Sequence, residues 1–90
     1  MPQKEVTVQN KTGLHARPAS LFVKKANEYD ADIKLEVDGK EANAKSIMGV
    51  MGLGAKQGKK VLISAEGNQA EEAVNGLVEF VEETLPSEDS

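Results

Sequence analysis

The stretch IKLEVDGKEANA, residues 33–44, predicts an antiparallel β-hairpin in the middle of the chain. In its first half, Ile, Leu and Val alternate with Lys and Glu, which is the period of a strand with one buried face and one exposed face. The following pair, Asp38-Gly39, suits a two-residue turn because both turn positions need a positive φ. The chain then returns as a second strand over residues 40–44.

The segments before the hairpin predict a strand and an amphipathic helix. Residues 5–8 alternate polar and apolar side chains, and turn-forming residues follow over 10–13, so the first strand should end near residue 9. From Ala16 onward the apolar positions recur every three or four residues, as in a helix of about three turns. These apolar positions are Ala19, Phe22, Val23 and Ala26.

A short helix and another strand are predicted after the hairpin. Ser46 can cap a helix that runs from Ile47 to about Leu53. Two glycines inside this helix weaken it by about 1 kcal/mol each relative to alanine, so tertiary contacts must stabilise it. Residues 60–66 then have the alternation of a strand.

The last predicted helix has the clearest pattern in the chain. Asn68 is a suitable N-cap with an acidic residue three positions later, close to a capping box. The apolar positions then keep a 3.6-residue period as far as Pro86, which we expect to end the helix. Residues 87–90 have no apolar side chain to bury, and we expect them to form an acidic, disordered tail.

The resulting order, βαββαβα, predicts an α+β fold in a single domain over residues 1–86. A chain of 90 residues supports one hydrophobic core, because small domains bury only about 60–70% of the surface of their unfolded chains. Each strand has one apolar face, so we expect a sheet that is covered on one side only, with the two long helices packed on that side.

The composition excludes several classes of function. The chain has no cysteine, so it can form neither a disulfide nor a cysteine-based zinc site. Its formal net charge is −4 and it has only three aromatic residues, which disfavours direct binding of nucleic acid. It shows no signal-peptide pattern and no run of about 18 apolar residues, so we expect a cytoplasmic protein without membrane insertion.

The segment GLHARP, residues 13–18, has the side chains best suited to phosphoryl chemistry. His15, the only histidine, lies at the predicted start of a helix, where unpaired backbone N–H groups favour a bound anion. A neutral imidazole is also a nucleophile and can accept a phosphoryl group. Arg17 can hold phosphate oxygens bidentately, Pro18 fits the first helical turn, and Gly13 lets the loop approach the phosphate.

Each of these residues also has a purely structural explanation. A histidine at a helix start is more often a cap or an exposed side chain, and Gly13 taken alone is more often a plain turn residue. Arg17 can be a solvated residue of the first turn. That last explanation is weak, because a cation beside the positive end of a helix dipole is unfavourable unless an anion binds there.

Residues 45–51 form a second candidate segment. Ser46 is a good N-cap residue, and capping explains its presence as well as a function does. Phosphorylation of Ser46 would add up to about two negative charges where the helix dipole tolerates them, so it could alter partner docking without unfolding the domain. The short helix has more apolar side chains than one core-facing stripe needs: Ile47, Met48, Val50 and Met51. We expect Ile47, Met48 and Met51 to form an apolar docking patch.

The motif GLHARPA, residues 13–19, resembles the active-site signature of HPr, the histidine-containing phosphocarrier family of the bacterial phosphoenolpyruvate-dependent sugar phosphotransferase system. The resemblance covers essentially the whole chain. It implies an open-faced β-sandwich with a four-stranded antiparallel sheet in the order 1-4-2-3 and three helices on one face. It also implies a monomeric carrier that needs no cofactor and is not a stand-alone enzyme.

The resemblance further implies roles for individual residues. His15 would be phosphorylated on Nδ1 by enzyme I and would donate the phosphoryl group to sugar-specific enzyme IIA domains. Arg17 would clamp the phosphate, with Gly13, Ala16 and Pro18 in supporting positions.

The region around Ser46 also resembles the regulatory-serine region of Gram-positive-type members of the family. This implies that HPr kinase/phosphorylase modifies Ser46, that the modification slows phosphorylation of His15, and that phospho-Ser46 binds catabolite control protein A. Gly52 departs from the serine often found at this position, and Ser20 stands where threonine is common. Neither departure affects the logic of the two sites.

A purely regulatory role is the alternative that the family leaves open. Some relatives have lost the histidine and act as binding modules through the phosphorylated serine. His15, Arg17 and Pro18 are all present in this chain, which favours the phosphoryl relay over a module that uses only phospho-Ser46.

Overall fold

Four antiparallel strands form the sheet in a computed structural model, which describes residues 2–88 of the chain. The strands are β1 (Gln3–Thr7), β2 (Asp32–Val37), β3 (Lys40–Asn43) and β4 (Lys60–Glu66). They lie in the order β1-β4-β2-β3 and every adjacent pair is antiparallel, which confirms the expected 1-4-2-3 sheet. At the hairpin turn, Asp38 and Gly39 have the predicted positive φ angles, 52° and 82°.

Helices cover the apolar face of this sheet. They are α1 (Ala16–Ala26), α2 (Ile47–Gly52) and α3 (Ala70–Glu79), and α3 continues through a π-helical turn (Phe80–Thr84) into α4 (Leu85–Glu88). The largest fully buried side chains come from both layers and include Phe22 of α1, Ile33 and Leu35 of β2, Ile63 of β4 and Leu77 of α3. Within residues 2–88, no helix is both long enough and apolar enough to cross a lipid bilayer.

The last helix extends past the end that the sequence predicts. We expect Pro86 to end the helix, but α4 includes Pro86 and continues to Glu88, so residues 87 and 88, which we expect in a disordered tail, lie in this helix. Residues 89 and 90 of that predicted tail lie outside the described residues. The helix can continue through Pro86 because a π-helical turn precedes α4. In that turn the N–H of Leu85 donates to the carbonyl oxygen of Phe80. Because α4 starts anew at Leu85, Pro86 falls in a first turn, where proline is tolerated.

The start of α3 also differs from the prediction. Gln69, not Asn68, precedes the first helical residue, and the Gln69 side chain makes no capping bond. Both side chains bond instead to the loop after α1: Asn68 Nδ2 donates to Asp30 Oδ2 at 3.0 Å, and Gln69 Oε1 accepts from the N–H of Asp30 at 2.7 Å. Tertiary contacts to Asp30 therefore replace the local cap that the sequence suggests.

Gly76 in α3 leaves room for the side chain of Tyr29, which follows α1. A Cβ added at position 76 would overlap the Tyr29 hydroxyl and lie 2.9 Å from its Cζ atom. We expect Gly76→Ala to lower the free energy of unfolding by about 1–2 kcal/mol, because crowding of about 1–3 kcal/mol outweighs the propensity gain of up to about 1 kcal/mol. Denaturation by urea, monitored by circular dichroism, measures this change.

Gly52→Ala in α2 is the matched control for this prediction, because nothing lies within 4 Å of a Cβ added there. It should leave stability unchanged or raise it by up to about 1 kcal/mol. Shortening Tyr29 to leucine should remove most of the penalty of Gly76→Ala. Equal stabilisation by the two alanine substitutions would show that Tyr29 does not restrict position 76.

Candidate functional site

His15 is the N-cap residue of α1, and its backbone, not its side chain, bonds to the helix. The residue is extended, with φ −84° and ψ −166°, and its carbonyl oxygen accepts the N–H of Ala19 at 2.8 Å. The imidazole makes no capping bond and is exposed. The ring therefore faces solvent at the start of a helix, where another protein can reach it.

The first turn of α1 places hydrogen-bond donors and a cation beside His15. The N–H groups of Ala16 and Arg17 precede the first bond of the helix, which Ala19 donates, so they have no partner within the helix. Pro18 contributes no N–H at all. The Arg17 side chain is exposed, and among the described side chains, those of residues 2–87, no carboxylate forms an ion pair with it. Such donors and an unpaired guanidinium favour a phosphoryl group on the neighbouring imidazole.

A cleft of about 310 Å³ adjoins His15 and Arg17. Its apolar wall consists of Pro18 and Leu21 from α1 and Leu85 from α4. The remaining lining residues are Thr12, His15, Ala16 and Arg17. The predicted site residues thus lie beside the start of α4, and the sequence pattern does not reveal this proximity.

Gly13 is required by the geometry of the loop that precedes His15. Its φ is +64°, and a Cβ at this position would overlap the carbonyl oxygen of Ala55 and lie 2.8 Å from the Cα of Lys56. The next residue, Leu14, donates its N–H to the same Ala55 oxygen at 2.7 Å. Gly13 therefore allows the His15 loop to lie directly against the segment that follows α2.

Asn10 is a site residue that the sequence pattern did not single out. Its side chain is only 2% exposed, and its Nδ2 donates to the carbonyl oxygen of Gly13 at 2.7 Å. The sequence assigns Asn10 to a turn, and turn propensity alone gives no sign of burial.

The second candidate segment lies at the start of α2. Ser46 is the N-cap residue, and its Oγ accepts the N–H of Gly49 at 3.2 Å, which confirms the predicted cap. Ile47 is 43% exposed and Met48 is 85% exposed, while Met51 is partly buried against the core. The structure therefore exposes two of the three residues expected in the docking patch.

The described side chains, those of residues 2–87, contain no group of three or more histidine, aspartate or glutamate residues that could hold a metal ion. A shift in pKa is seen for Lys25, farther along α1, whose hydrogen bond to Glu28 raises its pKa. Lys25 does not line the His15 cleft.

The chain is similar to known proteins of one family along most of its length. A family model described as the PTS HPr component phosphorylation site matches residues 2–83. The HPr-like protein Crh of Bacillus subtilis is 49% identical over 85 residues, which cover 94% of this chain and 100% of the relative. A phosphocarrier protein HPr from Bacillus anthracis is 52% identical, with a TM-score of 0.86 over 89% of this chain and 95% of that chain.

Two similar structures are described as dimers. One is HPr from Thermoanaerobacter tengcongensis, 49% identical, with a TM-score of 0.74 over 94% of this chain and 98% of that chain. The other is Crh of Bacillus subtilis, described as a dimer with a swapped domain, 48% identical, with a TM-score of 0.75 over the same shares. These dimers conflict with the expectation that this chain is a monomer.

Proposed function

This chain belongs to the HPr family of phosphocarrier proteins, and from this premise we propose that it accepts a phosphoryl group from phospho-enzyme I on His15 and donates it to enzyme IIA domains. The observation that carries the proposal is the exposed imidazole of His15 beside the first N–H groups of α1, which have no partner within the helix, and the exposed guanidinium of Arg17. A module that used only phospho-Ser46 would not need a phosphorylatable side chain at position 15.

The proposed transfer needs little from the protein beyond position and charge. A neutral ring nitrogen of His15 attacks the phosphorus of the donor, so that a new N–P bond forms as the bond to the donor breaks. Arg17 and the N–H groups of the first helical turn would stabilise the negative charge on the phosphoryl oxygens. Donation to an acceptor is the same step with His15 as the leaving group.

This chemistry fits a carrier rather than a stand-alone enzyme. The cleft beside His15 is small, and the reaction partners are the active-site residues of other proteins. Ile47 and Met48, which are exposed on α2, are the residues that we propose contact enzyme I and enzyme IIA domains. These partners would place the protein in the cytoplasm.

The test of the relay is uptake followed by discharge of one phosphoryl group. The full chain is incubated with phosphoenolpyruvate, Mg²⁺ and a bacterial enzyme I, and intact mass is measured before and after mild acid. We expect one acid-labile phosphoryl group, which an added enzyme IIA domain removes. No uptake by the folded chain would overturn the relay and favour the regulatory alternative.

Regulation at Ser46 is a second proposed role, supported by a different observation. Ser46 is at the start of α2, beside the exposed Ile47 and Met48, so a phosphate there would change the charge of the proposed docking surface. The similar protein Crh is described as the catabolite repression HPr of Bacillus subtilis. We propose that HPr kinase/phosphorylase modifies Ser46 and that catabolite control protein A binds the phosphorylated form.

Ser46→Asp is expected to slow phosphorylation of His15 roughly tenfold, the equivalent of about 1.4 kcal/mol in the barrier. The aspartate can keep the helix cap, because its carboxylate accepts from the same N–H group, but it adds a negative charge where the phosphoryl donor docks. Initial rates with enzyme I measure this effect.

Ser46→Ala is the matched control for Ser46→Asp. It removes the bond to the N–H of Gly49 and should lower the free energy of unfolding by about 1 kcal/mol, without slowing phosphoryl transfer in the folded protein. A rate for Ser46→Asp equal to the wild-type rate would argue against regulation by charge at this position.

A further inference from the structure

Asn10 is the one buried polar residue among those that the structure describes, and it lies in the loop that leads to His15. Its side-chain amide donates to the carbonyl oxygen of Gly13 at 2.7 Å, while its own carbonyl oxygen accepts the N–H of Gly13 at 3.1 Å. These two bonds close the turn over residues 10–13 from both sides. An asparagine can form such a turn while it is exposed to solvent, so turn formation alone does not explain why Asn10 is buried.

The same loop is bonded along its length to the segment between α2 and β4. The N–H of Val8 donates to Lys59, the side chain of Gln57 donates to the carbonyl oxygen of Gln9, and the N–H of Leu14 donates to Ala55. These bonds hold the two ends of the loop, at residues 8–9 and at residue 14. The bonds of Asn10 hold the part between them.

From these contacts we infer that Asn10 is a positioning residue for phosphoryl transfer, because its buried amide fixes the carbonyl of Gly13 and thereby the direction in which His15 leaves the loop. This inference rests on the proposed function of His15. The His15 side chain makes no capping bond to α1, so the position of the residue depends on the backbone that precedes it. Small displacements of a reacting group are costly, since transfer requires close approach and alignment.

Asn10→Asp is the variant that tests this inference most directly. An ionised aspartate has nearly the same shape as asparagine but has no N–H to donate, so it turns an attractive contact with the Gly13 carbonyl oxygen into a repulsive one. Asn10→Ala removes the contact without adding a charge. Val74→Ala, in the buried face of α3, is the control that lowers stability without touching the loop.

All variants are compared as substrates of enzyme I at a temperature where circular dichroism shows that each is folded. We expect kcat for Asn10→Asp and Asn10→Ala to fall about tenfold with KM unchanged, because the proposed docking residues Ile47 and Met48 are untouched. Val74→Ala should retain the wild-type kcat. Wild-type kcat in both Asn10 variants, or an equal loss in Val74→Ala, would overturn the inference.

Hydrogen exchange at Leu14 gives a readout that does not depend on phosphoryl transfer. Its N–H donates to Ala55, and we expect it to exchange faster in both Asn10 variants than in Val74→Ala. Unchanged exchange at Leu14 would contradict the positioning role. If the wild-type chain takes up no phosphoryl group, the proposed function fails, and the exchange rates still decide whether Asn10 fixes the loop.

Discussion

Replacing His15 with alanine is expected to abolish acceptance of the phosphoryl group from phospho-enzyme I. The chain has no other histidine and no cysteine, so no second imidazole and no thiolate can take over as the nucleophile. The His15 side chain makes no capping bond and is exposed. Its removal should therefore change the free energy of unfolding by less than about 0.5 kcal/mol.

Both stability and phosphoryl uptake are measured for His15→Ala, so that a loss of chemistry is distinguished from a loss of folding. A His15→Ala variant that melts with the wild-type protein and takes up no acid-labile phosphate separates chemistry from folding. Ser46→Ala tested in parallel should still accept the phosphoryl group. Retained acceptance by His15→Ala would show that the relay uses another residue.

Substitution of Gly13 with alanine is expected to lower the free energy of unfolding by about 3 kcal/mol. The left-handed conformation at φ +64° costs about 1–2 kcal/mol for a residue with a Cβ, and overlap with the backbone of Ala55 and Lys56 adds about 1–3 kcal/mol. The loop must move away from Ala55 to relieve the overlap, which also displaces His15. Phosphoryl transfer should fall even where the variant remains folded.

Gly54→Ala is the control that separates the cost of the left-handed backbone conformation from the cost of steric overlap at Gly13. Gly54 has nearly the same φ, +66°, but nothing lies within 4 Å of a Cβ added there. We expect Gly54→Ala to cost only about 1 kcal/mol, for the backbone conformation alone. Urea denaturation of both variants provides the comparison. If the two substitutions cost the same, close contact with the segment after α2 does not constrain Gly13.

Local chemistry was sufficient to predict the separate elements of the fold. The Asp38-Gly39 turn follows from the need for positive φ at both positions, and strand β4 follows from alternation over residues 60–66. Ser46 caps α2 as predicted because an N-cap bond spans only three residues. Such features depend on neighbours in sequence, so the sequence shows them directly.

Contacts between distant segments could not be predicted in the same way. The pairing of β1 with β4 was expected from the family resemblance, since alternation alone gave only the α+β class. Asn68 bonds to Asp30 instead of capping α3, and α4 continues through Pro86 because the π-helical turn precedes it. In the first case a contact with a distant segment overrides the local capping preference. In the second, a change in the hydrogen-bond pattern of the helix overrides the tendency of proline to end it.

The candidate site shows the same division. His15 and Arg17 were identified from residue type and from the predicted start of a helix, and the structure places them together on the exposed first turn of α1. The burial of Asn10 and the approach of Leu85 to the cleft depend on segments that are far away in the sequence. Only the assembled structure reveals how the loop before His15 is held.

Nuclear magnetic resonance of the phosphorylated protein shows directly whether His15 carries the phosphoryl group. The chain is labelled with ¹⁵N, phosphorylated with phosphoenolpyruvate and enzyme I, and observed through ³¹P and the imidazole nitrogens, which belong to a single histidine. We expect one phosphorus bonded to Nδ1 of His15, and we expect mild acid to remove it. An unchanged imidazole, with no phosphate or with an acid-stable ester on a hydroxyl such as that of Ser46, would contradict this expectation.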